Sequence, residues 1–232
     1  MKRLATICAR KNSKGLPGKN KLLLNGVPLY GMAILQARLS GYFTSIAVTT
    51  DDEEILENAL KFGADIIIKR PNELTQDHSG KPETVLHALN ETEKKLGIAY
   101  DVIVDLDVTS PLRTIEDIKG AIDLLELNQV ASVVSACKSH RNPYFNMLEV
   151  DSLGKTFISK KVDPPFLSRQ AAPKSFDMNA AVHAWRAEAL KHNPVVIYDD
   201  SLIYEMPEER SRDIDTKLDF EIVKFLSELS KL

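Results

Sequence analysis

Three short stretches hold most of the side chains in this sequence that can do chemistry. ICARKNSKGLPGKN, residues 7–20, carries Arg10, Lys11, Lys14 and Lys19 with no acidic residue among them, on a backbone bent by Gly15, Pro17 and Gly18. A glycine-rich turn can aim backbone N–H groups at an anion, and Arg or Lys adds charge-assisted hydrogen bonds. GLPGKN lacks the spacing of a Walker A loop and its Ser or Thr for magnesium, and the stretch is not GxGxxG either. RSRDIDTKLDF, residues 210–220, places Asp213 and Asp215 two apart, so in extended backbone both carboxylates point to one side. Facing a phosphate-rich ligand, such a pair suits Mg²⁺, which takes one or two carboxylates plus phosphate oxygens. The plainer reading is a cluster in which Asp215 or Thr216 caps the last helix, and the two readings are compatible. DLDVTSPLRT, residues 105–114, repeats Asp-x-Asp with Asp105 and Asp107 at a strand end, though a Thr-Ser-Pro turn with Arg113 pairing locally explains most of it. Arg70 and Lys81 bracket RPNELTQDHSGK and are placed to reach the same cleft, as is Arg169. The histidines at 78, 87, 140, 183 and 192 show no ligand or triad spacing.

These groups need a scaffold, and the pattern around them supplies one. Leu4–Ala9 reads as a buried strand, and Pro28 opens a helix with Leu29, Met32, Ala33, Leu35 and Leu39 at helical period. A strand at 45–50 leads to Asp51 and Asp52, which open a helix whose apolar side is Ile55, Leu56, Ala59 and Leu60. Strand 64–68, helix 84–96, strand 100–107, a Thr-capped helix over 114–126 and strand 130–137 follow. The α/β pattern resumes at 178–185 and 194–199 and closes on a helix with Phe220, Val223, Phe225 and Leu226 as its apolar side. Alternation at this spacing predicts a mostly parallel sheet with helices on both faces, which binds ligands beyond the carboxyl ends of its strands. The basic loop stands at such an end, and that position favours phosphate over a merely solvated turn. Between about 138 and 177 the pattern breaks into a Pro-, Ser- and Lys-rich insertion, expected to be an arm or lid within one domain spanning 1–232.

Composition narrows the function. The 232 residues carry a formal net charge of -3, which disfavours a general nucleic-acid binder, since that needs a basic surface against phosphates. Cys8 and Cys137 are far apart and offer neither a disulfide framework nor metal-ligand spacing, so a reducing cytoplasm is expected. The apolar run after Lys2 and Arg3 is too short for a secretory signal, and no segment approaches the ~20 apolar residues of a membrane span.

ICARKNSKGLPGKNK, TSPLR, SVVSAC and RDIDT together resemble the CMP-sialic acid synthetase, or acylneuraminate cytidylyltransferase, family, in order and across essentially the whole chain. The resemblance implies a Rossmann-like α/β nucleotidyltransferase fold that moves CMP from CTP to the anomeric hydroxyl of a nine-carbon 2-keto sugar acid, with Mg²⁺ required. It implies that Arg10 and Lys19 hold the CTP phosphates and that Cys8, Ala9, Asn20, Arg70 and Lys81 complete the nucleotide pocket. Asp213 and Asp215 are implied to bind the metal, one of them helping to deprotonate the sugar hydroxyl, and Arg169 to meet the sugar carboxylate or the phosphate region. The insertion 138–177 is implied to be a dimerisation arm reaching the neighbouring subunit's site in a homodimer, so that Arg169 acts in trans.

Departures from the family pattern fall where the sugar lies. Asp107 takes the place of a Gln before the Thr-Ser-Pro turn, Phe145 that of an arm Lys, Lys81 that of a small hydroxyl residue, and His183, following Asn179, that of a Tyr. The runs DLDVTSPLR, NPYFN, SKKVD, FDMNA and MPEERSRDID look closer to bacterial enzymes that activate legionaminic acid. N,N'-diacetyllegionaminic acid is therefore the leading acceptor and N-acetylneuraminic acid the alternative. A CMP-Kdo synthetase fits less well, because its amino-terminal pattern differs after Leu-Pro-Gly-Lys. A nucleotide-binding protein without turnover is a remote alternative, disfavoured because Arg10, Lys19, Asp213 and Asp215 stand together.

Overall fold

A computed structural model describes residues 1–11, 15–76 and 80–229. Lys14 and His78 lie outside the described residues. The chain runs β1 (Arg3–Ala9), β2 (Leu23–Leu24), β3 (Val27–Pro28), α1 (Leu29–Ser40), β4 (Ser45–Thr50), α2 (Glu53–Asn58), β5 (Ile66–Lys69) and α3 (Lys81–Leu96). It continues through β6 (Val102–Leu106), α4 (Ile115–Asn128), β7 (Ser132–Lys138), β8 (Leu148–Val150), β9 (Thr156–Ile158), β10 (Phe176–Arg186), α5 (Ala187–His192), β11 (Leu202–Glu205) and α6 (Lys217–Leu229).

Seven strands form one sheet in the order β11-β7-β10-β6-β1-β4-β5. β1 pairs in parallel with β4 and β6, β4 with β5, and β7 with β11, whereas β10 runs antiparallel between β6 and β7. The loops after β1, β4, β5, β6, β7 and β11 therefore leave the sheet at one end. The split at β1, whose neighbours β4 and β6 are reached in opposite directions, opens the crevice where open α/β sheets bind ligands.

Strand alternation assigns the two faces. Ala5, Ile7 and Ala9 of β1 pack into a core with Leu29, Ala33 and Ile34 of α1, Ile118 and Ile122 of α4, and Val223 of α6. Leu4 belongs to the opposite core with Val85 and Leu89 of α3, Trp185 of β10 and Leu190 of α5. Thr6 and Cys8 share Leu4's face by the period of two, and this brings them beneath α3.

Local chemistry fixes the element ends. The Asp52 side chain accepts from Glu54 N at 3.0 Å and caps α2, while Asp51 instead accepts from Lys11 N at 2.7 Å and ties down the first loop. Thr114 and Asp117 form a capping box on α4. Gly41 ends α1 and Gly97 ends α3, both in the left-handed region.

Two expectations are corrected. Residues 194–199 form no strand; the Val195 and Val196 carbonyls accept from Trp185 Nε1 and His183 Nε2, both at 3.0 Å, and the edge strand is β11. On α6 the buried residues are Val223 and Ser227, with Phe220 packed against the core, whereas Phe225 is 61% exposed. The segment between β7 and β10 contains the β8–β9 hairpin and exposes Leu148, Val150, Leu153 and Leu167.

Candidate active site

At the carboxyl end of the sheet, Cys8, Arg10, Lys19, Asn20, Arg70, Lys81, Asp107 and Asp213 line one cleft, joined by Leu74, Gln76, Thr84 and Thr109. The basic loop, the β5–α3 segment, the β6–α4 turn and the late Asp-x-Asp thus converge as the sequence suggested. The loop is closed on itself by Asn20 Nδ2, which donates to Arg10 O at 2.9 Å. It is also fastened to the far end of the chain. Lys19 Nζ donates to Ile214 O and to Asp215 Oδ1, each at 2.8 Å, and a Cβ on Gly15 would lie 2.4 Å from Asp215 O. Glycine at 15 is thus a requirement of close backbone approach.

A second group of charges forms the wall beside it. Lys81 Nζ lies 2.9 Å from Asp105 Oδ2 and also donates to Asp107 Oδ2. Asp105 is fully buried and accepts from Thr6 Oγ1 at 3.0 Å; the other oxygen of Asp107 accepts from Thr109 N at 2.9 Å and Thr109 Oγ1 at 2.8 Å. Burial opposes charge on both partners, but the attraction outweighs it. Lys81 is held above the ordinary lysine value by Asp105 and Asp107, and Asp107 well below the carboxylate range by Lys81 and Thr109. Burial, assisted by Asp105, pushes the Cys8 thiol well up and leaves it a neutral wall group. Arg113 does pair locally, its Nη1 donating to the carbonyls of Asp107, Ser110 and Ala181; burial lowers it to about 10 against the pull of Asp107, Asp105 and Asp117.

The two late carboxylates are not equivalent. Asp213 lines the cleft, and its Oδ1 is buried without a hydrogen-bond partner; burial and the charge of Asp107 raise its pKa. Asp215 stands at the rim with its side chain 70% exposed, paired to Lys19. Helix α6 is capped instead by Thr216, which accepts from Asp219 N at 3.2 Å while Asp219 Oδ2 accepts from Thr216 N at 2.7 Å. Among the described residues no group of three or more His, Cys, Asp or Glu side chains is gathered for a metal. A cation here would draw on Asp213, Asp215 and ligand oxygens.

Other expected residues stand apart from the cleft. Ala9 is in the core beneath the loop. Asn179 is buried, its Oδ1 accepting from Ser135 Oγ at 2.6 Å and its Nδ2 donating to Ser211 Oγ at 2.8 Å. The next residue, Ala180, has a φ of 52°, within the irregular stretch of β10 between Met178 and His183. His183 is buried behind the wall and stacks on Trp185 with ring centroids 3.6 Å apart. Phe145 and Arg169 lie in the β7–β10 segment; Arg169 is exposed and donates to His140 O. Asp105 and Asp117 carry more of the arrangement than their types suggested. A charged residue inside the apolar run VIVDL is the signal that marks Asp105.

A mostly parallel sheet thus brings basic and acidic loops together at its carboxyl end. Residues 4–221 match the family model described as Cytidylyltransferase, and the chain belongs to that family. It is 37% identical over 223 residues to the post-translational flagellin modification protein B of Campylobacter coli, covering 96% of this chain and 94% of that one. It is 35% identical over 229 residues to the CMP-N,N'-diacetyllegionaminic acid synthase of Campylobacter jejuni, covering 99% and 96%. A solved CMP:2-keto-3-deoxy-manno-octonic acid synthetase complexed with CTP matches with a TM-score of 0.70 and 16% identity over 99% of this chain and 100% of that one, a likeness of fold. No helix among the described residues is long and apolar enough to cross a membrane.

Proposed function

We propose that the protein transfers CMP from CTP to the anomeric hydroxyl of a nonulosonic acid, releasing pyrophosphate, with N,N'-diacetyllegionaminic acid as its acceptor. The observation that carries this reading is the meeting of Arg10, Lys19, Arg70 and Lys81 with Asp107 and Asp213 in one cleft. Attack on the α-phosphorus gathers negative charge on phosphate oxygens and on departing pyrophosphate, and catalysis is mainly positioning and electrostatic stabilisation. Arg10 and Lys19 are assigned to that charge, with Lys19 already held by Ile214 O and Asp215. Asn20, Arg70 and the wall residues Cys8 and Lys81 orient the nucleoside. Asp215 is assigned to accept the hydroxyl proton.

The residues fit a divalent cation, and Mg²⁺ is the one proposed. The buried, unpartnered Oδ1 of Asp213 needs a positive partner, and Asp215 is an exposed carboxylate two residues on. When bound, the ion screens phosphate charge and acidifies the hydroxyl. Asp107, which stands where a neutral amide would stand in a sialate enzyme, is assigned to the acceptor side and is held there by Lys81. Exposed Leu148, Val150, Leu153 and Leu167 support the 138–177 segment as a dimerisation arm, through which Phe145 and Arg169 would complete the partner subunit's site in a homodimer. Use of CTP, an intracellular nucleotide, supports a cytoplasmic location.

The second reading is a CMP-N-acetylneuraminate synthetase, since the same phosphate and metal groups would serve it. The two are separated by kcat/KM with CTP, Mg²⁺ and each sugar. We expect N,N'-diacetyllegionaminate to be favoured by at least about tenfold, the scale of a few altered pocket contacts. A preference for N-acetylneuraminate overturns the acceptor assignment.

A further inference from the structure

Between β11 and α6 the segment bearing Asp213 and Asp215 has a single 3-10 turn, Glu208–Arg210, as its only regular structure, and it is fastened at several points. Met206 N donates to Ala136 O at 2.8 Å, and Ile214, fully buried, donates its N–H to Thr109 O at 3.0 Å. The strongest tie is electrostatic. Arg210 Nε and Nη2 donate to the two oxygens of Asp117 at 3.0 and 2.9 Å, a bidentate pair in which the Asp117 side chain is 1% exposed. Asp117 also accepts from Thr114 N at 2.8 Å and from Tyr204 OH at 3.3 Å.

This tie leaves its mark on helix α4. Its carboxylate is the capping-box residue at the third position, while Gly120 sits mid-helix, where glycine costs about 1 kcal/mol relative to alanine. Gly120 is there because the Tyr204 ring occupies the space: a Cβ at 120 would lie 2.4 Å from its Cε2. The sequence therefore gives up helix propensity to bring Tyr204 and Arg210 onto one buried carboxylate. Arg210 lies three residues before Asp213 and anchors the amino-terminal side of that carboxylate's loop, as buried Ile214 and α6 hold the other side.

We propose that the Arg210–Asp117–Tyr204 clasp positions the Asp213/Asp215 segment for its cation, making Arg210 and Asp117 positioning residues that govern metal affinity without touching metal or substrate. The inference rests on the cation site assigned above. Groups that orient metal ligands change metal affinity by about 10- to 100-fold when lost. A simple packing role would instead lower stability and leave metal affinity alone.

The test compares Arg210→Gln, Arg210→Lys, Asp117→Asn and the double variant Arg210→Gln/Asp117→Asn with Asp213→Asn as reference. Mn²⁺ binding to the protein–CTP complex is followed by electron paramagnetic resonance, and CTP binding in EDTA by calorimetry. Lysine offers a single-point contact and stands in should the glutamine variant not fold. We expect the Mn²⁺ dissociation constant to rise about tenfold or more in the glutamine and asparagine variants and less in Arg210→Lys. The double variant is expected to be no worse than either single one, because the pair acts as a unit, and metal-free CTP affinity to stay within about twofold of wild type. Unchanged Mn²⁺ affinity in the clasp variants, with Asp213→Asn impaired, overturns the clasp alone. Unchanged affinity in Asp213→Asn overturns the cation site and the clasp with it.

Discussion

Acidification is predicted to destabilise the fold through His183, by an amount the structure sets. The ring is 4% exposed, stacked on Trp185, with Nε2 donating to Val196 O. Burial first, and then the charge of Lys81, lower its pKa from 6.5 to about 3 despite that hydrogen bond. Because the folded value is depressed, the unfolded chain takes up the proton first. The contribution of His183 to stability is whole above pH 6.5 and is lost progressively as the pH falls from there towards 3. With those two values, the loss at pH 5 relative to pH 8 is about 2 kcal/mol, at roughly 1.4 kcal/mol per unit. Urea unfolding of wild type and His183→Gln at pH 8 and pH 5 isolates it, since Gln keeps a donor for Val196 O but does not titrate. Groups common to both proteins, such as Asp117 and Glu126, cancel in the difference. Wild type should lose about 2 kcal/mol more than the variant between the two pH values. Equal losses, within about 0.5 kcal/mol, would refute a buried neutral His183.

Three further outcomes are expected. Lys81→Met removes the ammonium paired with Asp105 and Asp107 and should cost about 3–5 kcal/mol, lowering Tm by about 10 °C; adding Asp105→Asn and Asp107→Asn should restore most of it, and a single variant melting like wild type would contradict the ion triad. Gly15→Ala drives a methyl into the Asp215 carbonyl and should lower kcat/KM by about 100-fold, the penalty of misplacing a catalytic group by ~1 Å, with little change in Tm. Wild-type turnover in that variant would show that the contact is dispensable. Arg169→Ala and Asp213→Asn proteins, each inactive, should regain part of the activity when mixed as heterodimers; no recovery in a confirmed mixed dimer would remove Arg169 from the partner's site.

The scaffold was legible because its signals are local. Period-two strands, the Thr114 capping box and the Asp52 cap predicted their elements within a few residues. The error at 194–199 arose because an apolar run can serve a sheet through its carbonyls alone, here beneath Trp185 and His183, without joining a ladder. Phe225 failed because α6 buries a narrow stripe in which Ser227 is the next buried residue. In the site, the basic loop and the late carboxylates were readable from charge and turn chemistry. Their difference was not: Asp213 enters the cleft and Asp215 stays at the rim because Lys19 and the close approach of Gly15 hold residue 215, contacts about 200 positions distant in sequence. Asn179 and His183 were expected at the sugar, but their partners Ser135, Ser211 and Val196 come from other elements and draw both side chains inward.

In the proposed reaction one cleft joins CTP phosphates, a divalent cation and a sugar-acid hydroxyl to transfer CMP. Phosphorus NMR of the enzyme with CTP, Mg²⁺ and N,N'-diacetyllegionaminate tests it most directly. A new phosphodiester signal and pyrophosphate are expected in equal amounts, both absent when the sugar or the cation is withheld and both reduced about 100-fold or more in Asp215→Asn. CTP consumed without a phosphodiester product, or product formed at the wild-type rate by Asp215→Asn, would contradict it.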